Sequence, residues 1–156
     1  MNRGQQVILF LSSGFYLGRL PVAPGTFGSL PGLGLWLLLS RWEWLAILFF
    51  LVIFILFAAW IAGLAAEALD CRDPGSVVID EIAGMAITMA GIPINWTACV
   101  AGFVLFRFFD IAKPFPIRWV DQHVKGGFGI VLDDVLAGII SNIALRIIIK
   151  LIDFIL

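Results

Sequence analysis

Seven charged residues in three short runs set the chemistry open to this chain. The segment FRFFDIAKPFP (106–116) carries Arg107, Asp110 and Lys113 at successive i+3 steps along a helix end that Pro114 and Pro116 terminate, and in GGFGIVLDDVLAG (126–138) a flexible glycine turn precedes Asp133 and Asp134. Upstream, VVIDEIAGMAIT (77–88) places Asp80 and Glu81 at a helix start, with Gly84 and Thr88 at i+4 and i+8 leaving space beside the Asp80 carboxylate. Paired oxygen ligands with no His or Cys beside them suit Mg²⁺ rather than zinc, and Mg²⁺ is shared between carboxylates, waters and a phosphate. Arg107 and Lys113 supply the complement: a guanidinium fork for phosphate oxygens and an ammonium point charge. Each run also has a plainer reading. Asp80 and Glu81 could complement a helix N-terminus, the i+3 ladder could be structural ion pairing, and one of Asp133 and Asp134 could cap the last helix. Capping needs only one carboxylate there, which leaves the other for metal ligation. In LPVAPGTFGSLPG (20–32), Thr26 and Ser29 precede a helix start and read as an anion cradle of backbone N–H groups, although most Gly/Pro loops are simple turns.

The elements that position these residues are membrane helices. The 156 residues are 62% hydrophobic and 13% charged, far above the roughly 45–50% apolar content of soluble domains. The uncharged stretch Trp44–Ala66 is long enough to cross a hydrocarbon core of about 30 Å. Alternating strands for a barrel are absent. The sequence therefore predicts an all-α integral membrane protein, one domain over 1–156, with short broken hairpins and polar loops on the cytoplasmic face. Its start, MNRGQQVILFLSSG, lacks a small-residue cleavage pattern and does not read as a secretory signal.

Charge constrains the topology. Nine of the eleven acids lie in Glu67–Glu81 and Arg107–Asp134. One straight span over Ile82–Phe106 would separate Asp80 and Glu81 from Asp133 and Asp134 by about 30 Å. Gly91 and Pro93 in GIPIN (91–95) break that segment into a helix, a bend and a returning helix, which keeps the acids on one side. Leu30–Ser40 is likewise too short to span, with Arg41, Trp42 and Glu43 at a tip. Five of the ten basic residues share the acidic stretches, which assigns that face to the cytoplasm. Val135–Leu156 is helical by composition and either spans or lies along the interface. A net charge of −1 without a basic run argues against a nucleic-acid partner. Cys71 and Cys99 form no metal or disulfide pattern, and His123 has no second His to work with.

With four blocks in order, LPVAPGTFGSLPG, VVIDEIAGMAIT, FVLFRFFDIAKPFPI (103–117) and GGFGIVLDDVLAG, the chain resembles the phosphatidylglycerophosphatase A family over most of residues 14–140. Phe27 and Val131 stand where that pattern leads one to expect Trp and Met, both packing positions. The resemblance implies a Mg²⁺-dependent bacterial enzyme of the inner (cytoplasmic) membrane, multi-pass, that removes the terminal phosphate of phosphatidylglycerophosphate to give phosphatidylglycerol.

The residues themselves point the same way. No Cx₅R loop, DxD pair or second histidine offers a covalent phosphatase nucleophile. Metal-assisted hydrolysis remains: Asp80, Glu81, Asp133 and Asp134 holding one or two Mg²⁺, Arg107 and Lys113 clamping phosphate, Asp110 orienting them or acting as base, and Thr26 bonding phosphate or water. Two other classes compete. A cation transporter would place carboxylates at the bilayer midplane, and a phosphatidyl-group transferase would carry a DG-x₂-AR spacing that is missing here. Membrane lipids surround the chain, and a homo-oligomer stays open.

Overall fold

A computed structural model describes residues 2–155, about three quarters of them helical and none of those described in a strand. Seven α-helices follow one another: α1 (Arg3–Ser12), α2 (Pro24–Leu39), α3 (Trp44–Ala68), α4 (Ile79–Met89), α5 (Trp96–Ala112), α6 (Ile117–His123) and α7 (Gly126–Ile155). Of these, α3 and α7 are long and apolar enough to cross a membrane. At about 1.5 Å per residue, α2, α4 and α5 reach only about 16 to 26 Å, short of the ~30 Å hydrocarbon core.

The shorter helices form the broken hairpins that the sequence predicts. After α4, Gly91 takes a left-handed φ of 65°, open to glycine because it lacks a Cβ. Asn95 then caps α5, its Oδ1 accepting from Thr97 N at 2.7 Å. The tips of the two hairpins, 40–43 and 90–95, lie together: Trp36 Nε1 donates to Ile92 O at 2.8 Å, and the Trp44 ring packs beside Gly91. Bent backbone at depth is thus covered by protein. At the other end α5 stops at Ala112, with Lys113 left-handed at φ 41° and Pro114 barring further helix.

α4 is the core, with ten of its eleven residues buried among α2, α3, α5 and α7. Lipid tails are as apolar as Leu, so helices in a bilayer associate through close packing at small residues. A Cβ on Gly138 of α7 would collide with the Gly84 carbonyl oxygen of α4, and one on Gly84 would lie 2.7 Å from Asp134 O. This glycine pair lets the backbones touch and brings Asp134 beside the first turn of α4.

Three local expectations change. Thr26 and Ser29 lie inside α2 rather than ahead of it, because Pro24 can begin a helix without an N–H; Ser29 is buried, donating to Gly25 O at 2.7 Å. Gly126–Gly129 form the first turn of α7, not a free turn, since a side chain at Gly127 would strike the Ala59 carbonyl of α3. The small residues after Asp80 serve packing: the space at Gly84 is filled by the Phe106 ring and α7, and the space the Asp80 carboxylate faces lies instead among the helix ends.

Candidate active site

Four helix ends converge on one cavity of about 750 Å³. The start of α2 contributes Gly25 and Thr26, the first turn of α4 Asp80 and Glu81, the end of α5 Arg107, Asp110 and Lys113, and the early turns of α7 Asp133 and Asp134. All eight residues that the sequence singles out for chemistry line it, Thr26 included.

Within the cavity the acids divide. One carboxylate oxygen each from Asp80, Glu81 and Asp134 lies within 4.8 Å of the others. Asp133 points elsewhere, as successive helical residues must: it accepts from Lys113 Nζ, which also donates to Asp121 at 2.9 Å. The i+3 ladder therefore forms only in its first half. Arg107 Nη1 stands 2.7 Å from Asp110 Oδ2, while Lys113 turns to α6 and α7. Asp121 is the residue that sequence reasoning missed. It lies eight positions beyond Lys113, across a proline-bounded turn, and no spacing rule links the two.

Unmatched polar atoms carry the chemistry. Asp80 Oδ1, Glu81 Oε2 and the second oxygen of Asp133, Oδ1, are buried with no hydrogen-bond partner, and so are Nε and Nη1 of Arg107; the Asp110 contact is an ion pair lacking hydrogen-bond alignment. Asp80 is 8% exposed and Asp134 3%. Burial, and then Glu81 beside it, raises the Asp80 carboxyl well above the usual carboxylate range. Burial raises Glu81 as well. For Lys113 burial pulls downward, but Asp133 and Asp121 outweigh it and hold the ammonium above its ordinary value. No side chain caps the N-terminus of α4, so Asp80 and Glu81 are not there as caps. A Cβ at Gly25 would collide with Glu81 Oε1 and lie 3.2 Å from both Nη atoms of Arg107; only glycine lets α2 begin against these groups.

Donors without acceptors thus face the same space as acceptors without donors. Unpaired buried polar groups each cost about 1–3 kcal/mol, more when charged. The carboxylates could take a cation, and Arg107 an anion. Three hard oxygen donors without nitrogen or sulfur fit Mg²⁺.

A family model described as phosphatidylglycerophosphatase A matches residues 10–149. The chain is 41% identical over 132 residues to phosphatidylglycerophosphatase A of Escherichia coli (strain K12), covering 84% of this chain and 77% of that protein. With the enzyme of the same name from Haemophilus influenzae it shares 43% identity over 139 residues, 87% of this chain and 85% of the relative. A protein of Bacteroides thetaiotaomicron, provisionally named a phosphatidylinositol-3-phosphatase, is 36% identical over 158 residues, 94% of this chain and 96% of its own length. No solved structure matches.

Proposed function

The chain belongs to the phosphatidylglycerophosphatase A family and is a phosphatase; from that premise we propose that it hydrolyses the terminal monoester of phosphatidylglycerophosphate, giving phosphatidylglycerol and phosphate, with Mg²⁺ as cofactor. The observation that carries this reading is the convergence of three carboxylates, two of them with an unpartnered oxygen, beside a buried guanidinium with unpartnered N–H groups.

Asp80, Glu81 and Asp134 would hold the cation. A Mg²⁺ held by them would supply Lewis acidity and charge neutralisation at the phosphoryl group. The remaining work falls to side chains. Arg107 donates Nε–H and Nη1–H to two phosphate oxygens, with Asp110 fixing its plane. Lys113, braced by Asp133 and Asp121, adds a second positive charge. Asp110 borders the same cavity and is the candidate to take a proton from the attacking water. Thr26, on the first turn of α2, offers its hydroxyl to a phosphate oxygen. Asp133 contributes by holding Lys113. The acyl chains stay in the bilayer, so a cavity among helix ends near the interface suits a lipid headgroup.

The basic residues grouped around this end support a cytoplasmic active site in a multi-pass protein of the bacterial inner membrane. Phosphate release from phosphatidylglycerophosphate, phosphatidic acid and phosphatidylinositol 3-phosphate in detergent, with Mg²⁺ or with chelator, tests the reading. Chelator-sensitive release, fastest from phosphatidylglycerophosphate, is expected. Release indifferent to chelator, or none from that lipid with any divalent metal, contradicts it.

A further inference from the structure

The cavity is lined by two basic residues that the proposed reaction does not use. Besides Arg107 and Lys113, it is lined by Arg72, on the connection from α3 to α4, and Lys125, between α6 and α7. Both are exposed. Neither forms an ion pair among the described residues, whereas Arg107 and Lys113 are both held by carboxylates. The close contact of Gly127 with Ala59 and Gly63 ties the start of α7 to α3, so these two basic residues flank elements that pack on each other. Asp73, beside Arg72, also lines the rim without a basic partner. At about 750 Å³ the cavity is of a size that takes a whole small ligand.

We propose that Arg72 and Lys125 form a second anion subsite that grips the bridging phosphodiester of the substrate, while Arg107 and Lys113 hold the monoester to be removed. This rests on the function proposed above. Phosphatidylglycerophosphate carries two phosphates joined by a glycerol, and phosphatidic acid carries one. A subsite for the diester therefore favours the first lipid over the second through binding rather than through the chemical step. Asp73, on the same rim, would accept from the free hydroxyl of the bridging glycerol. No covalent step is involved at this rim. The exposed, unpaired state of the two cations suits the task, because no internal ion pair has to be broken when the lipid enters.

Arg72→Gln with Lys125→Gln tests the subsite, and both residues are exposed enough for the fold to survive. In neutral detergent micelles the ratio of kcat/KM for phosphatidylglycerophosphate over phosphatidic acid is expected to fall about tenfold or more, mostly through KM, as for loss of a charged hydrogen bond. An unchanged ratio overturns the subsite. So does a loss confined to vesicles rich in anionic lipid and equal for both substrates, which would make the rim a membrane-surface contact. Equilibrium binding of the two lipids in chelator gives the same comparison without turnover: a preference lost in the double variant supports the subsite, and a preference retained overturns it. A wild type that binds phosphatidylglycerophosphate preferentially yet never releases phosphate would sink the proposed reaction and leave the subsite standing.

Discussion

At the last turn of α4, Asn142 Nδ2 donates to the carbonyl oxygens of Ile87, Thr88 and Ala90 at 3.2, 2.8 and 3.0 Å. Arg146 Nη2 reaches Ala90 O at 2.8 Å, and its Nε donates to Asn142 Oδ1. At the first turn of the same helix, about 15 Å away at 1.5 Å per residue, Asp80 Oδ1 and Glu81 Oε2 have no partner. Both ends are made by α4 against α7, and both border cavities of similar size, about 670 and 750 Å³. At the far end, α7 offers donors that match the carbonyls a helix terminus leaves over. At the near end, α7 offers Asp134, an acceptor set against acceptors. The far end of α4 is thus matched by donors from α7, whereas the near end keeps two carboxylate oxygens of α4 without a partner.

Substitutions at the two ends should therefore separate activity from stability. The largest effect belongs to Asp80→Asn: phosphate release should fall about tenfold to a hundredfold, the range for altered metal shells. Its thermal midpoint in chelator should hold or rise, because a buried carboxyl that is costly to ionise and has an unpartnered oxygen has been replaced by a neutral amide. A midpoint that drops instead would make Asp80 a structural group and erase the contrast. Asn142→Ala should do the reverse. Loss of its donors leaves α4 carbonyls unsatisfied, at about 1–3 kcal/mol, so the midpoint falls while kcat per folded molecule changes by less than about twofold.

A smaller effect is a pH slope. Burial raises Asp80 and Glu81, so above the ordinary carboxylate range the native state holds protons that the unfolded chain has released. Metal-free stability should then decline as pH rises from about 5 towards the raised values. Saturating Mg²⁺, which binds the ionised form, should flatten that slope. Thermal midpoints across pH with Mg²⁺ or chelator check this, and a metal-free midpoint that climbs over the same window would reverse the sign.

How much of this was legible in the sequence follows from where the deciding physics lies. The bend at Gly91 and Pro93 and the end of α5 before Pro114 are local backbone effects, and the sequence predicts them. Grouping of the seven charges is legible because charge is so scarce elsewhere. Gly127 is different: its place in a helix is decided by Ala59, 68 positions earlier, and nothing in GGFG announces that contact. The division of labour between Asp133 and Asp134 is likewise set by partners on α4, α5 and α6. Two adjacent acids look equivalent until the helix turns one towards Lys113 and the other towards Asp80. Gly84 and Gly138 read as small residues, and only the crossing of their helices shows that they bring Asp134 to the site.

The most direct test of the central claim is phosphate release from phosphatidylglycerophosphate across a Mg²⁺ titration, for the wild type and Asp134→Asn in detergent. The account predicts saturable activation of the wild type, loss of release in chelator, and at least about a tenfold deficit in the variant that added Mg²⁺ only partly restores. Release from Asp134→Asn equal to the wild type at every Mg²⁺ concentration would contradict it, and would reduce the three converging carboxylates to a feature of the fold.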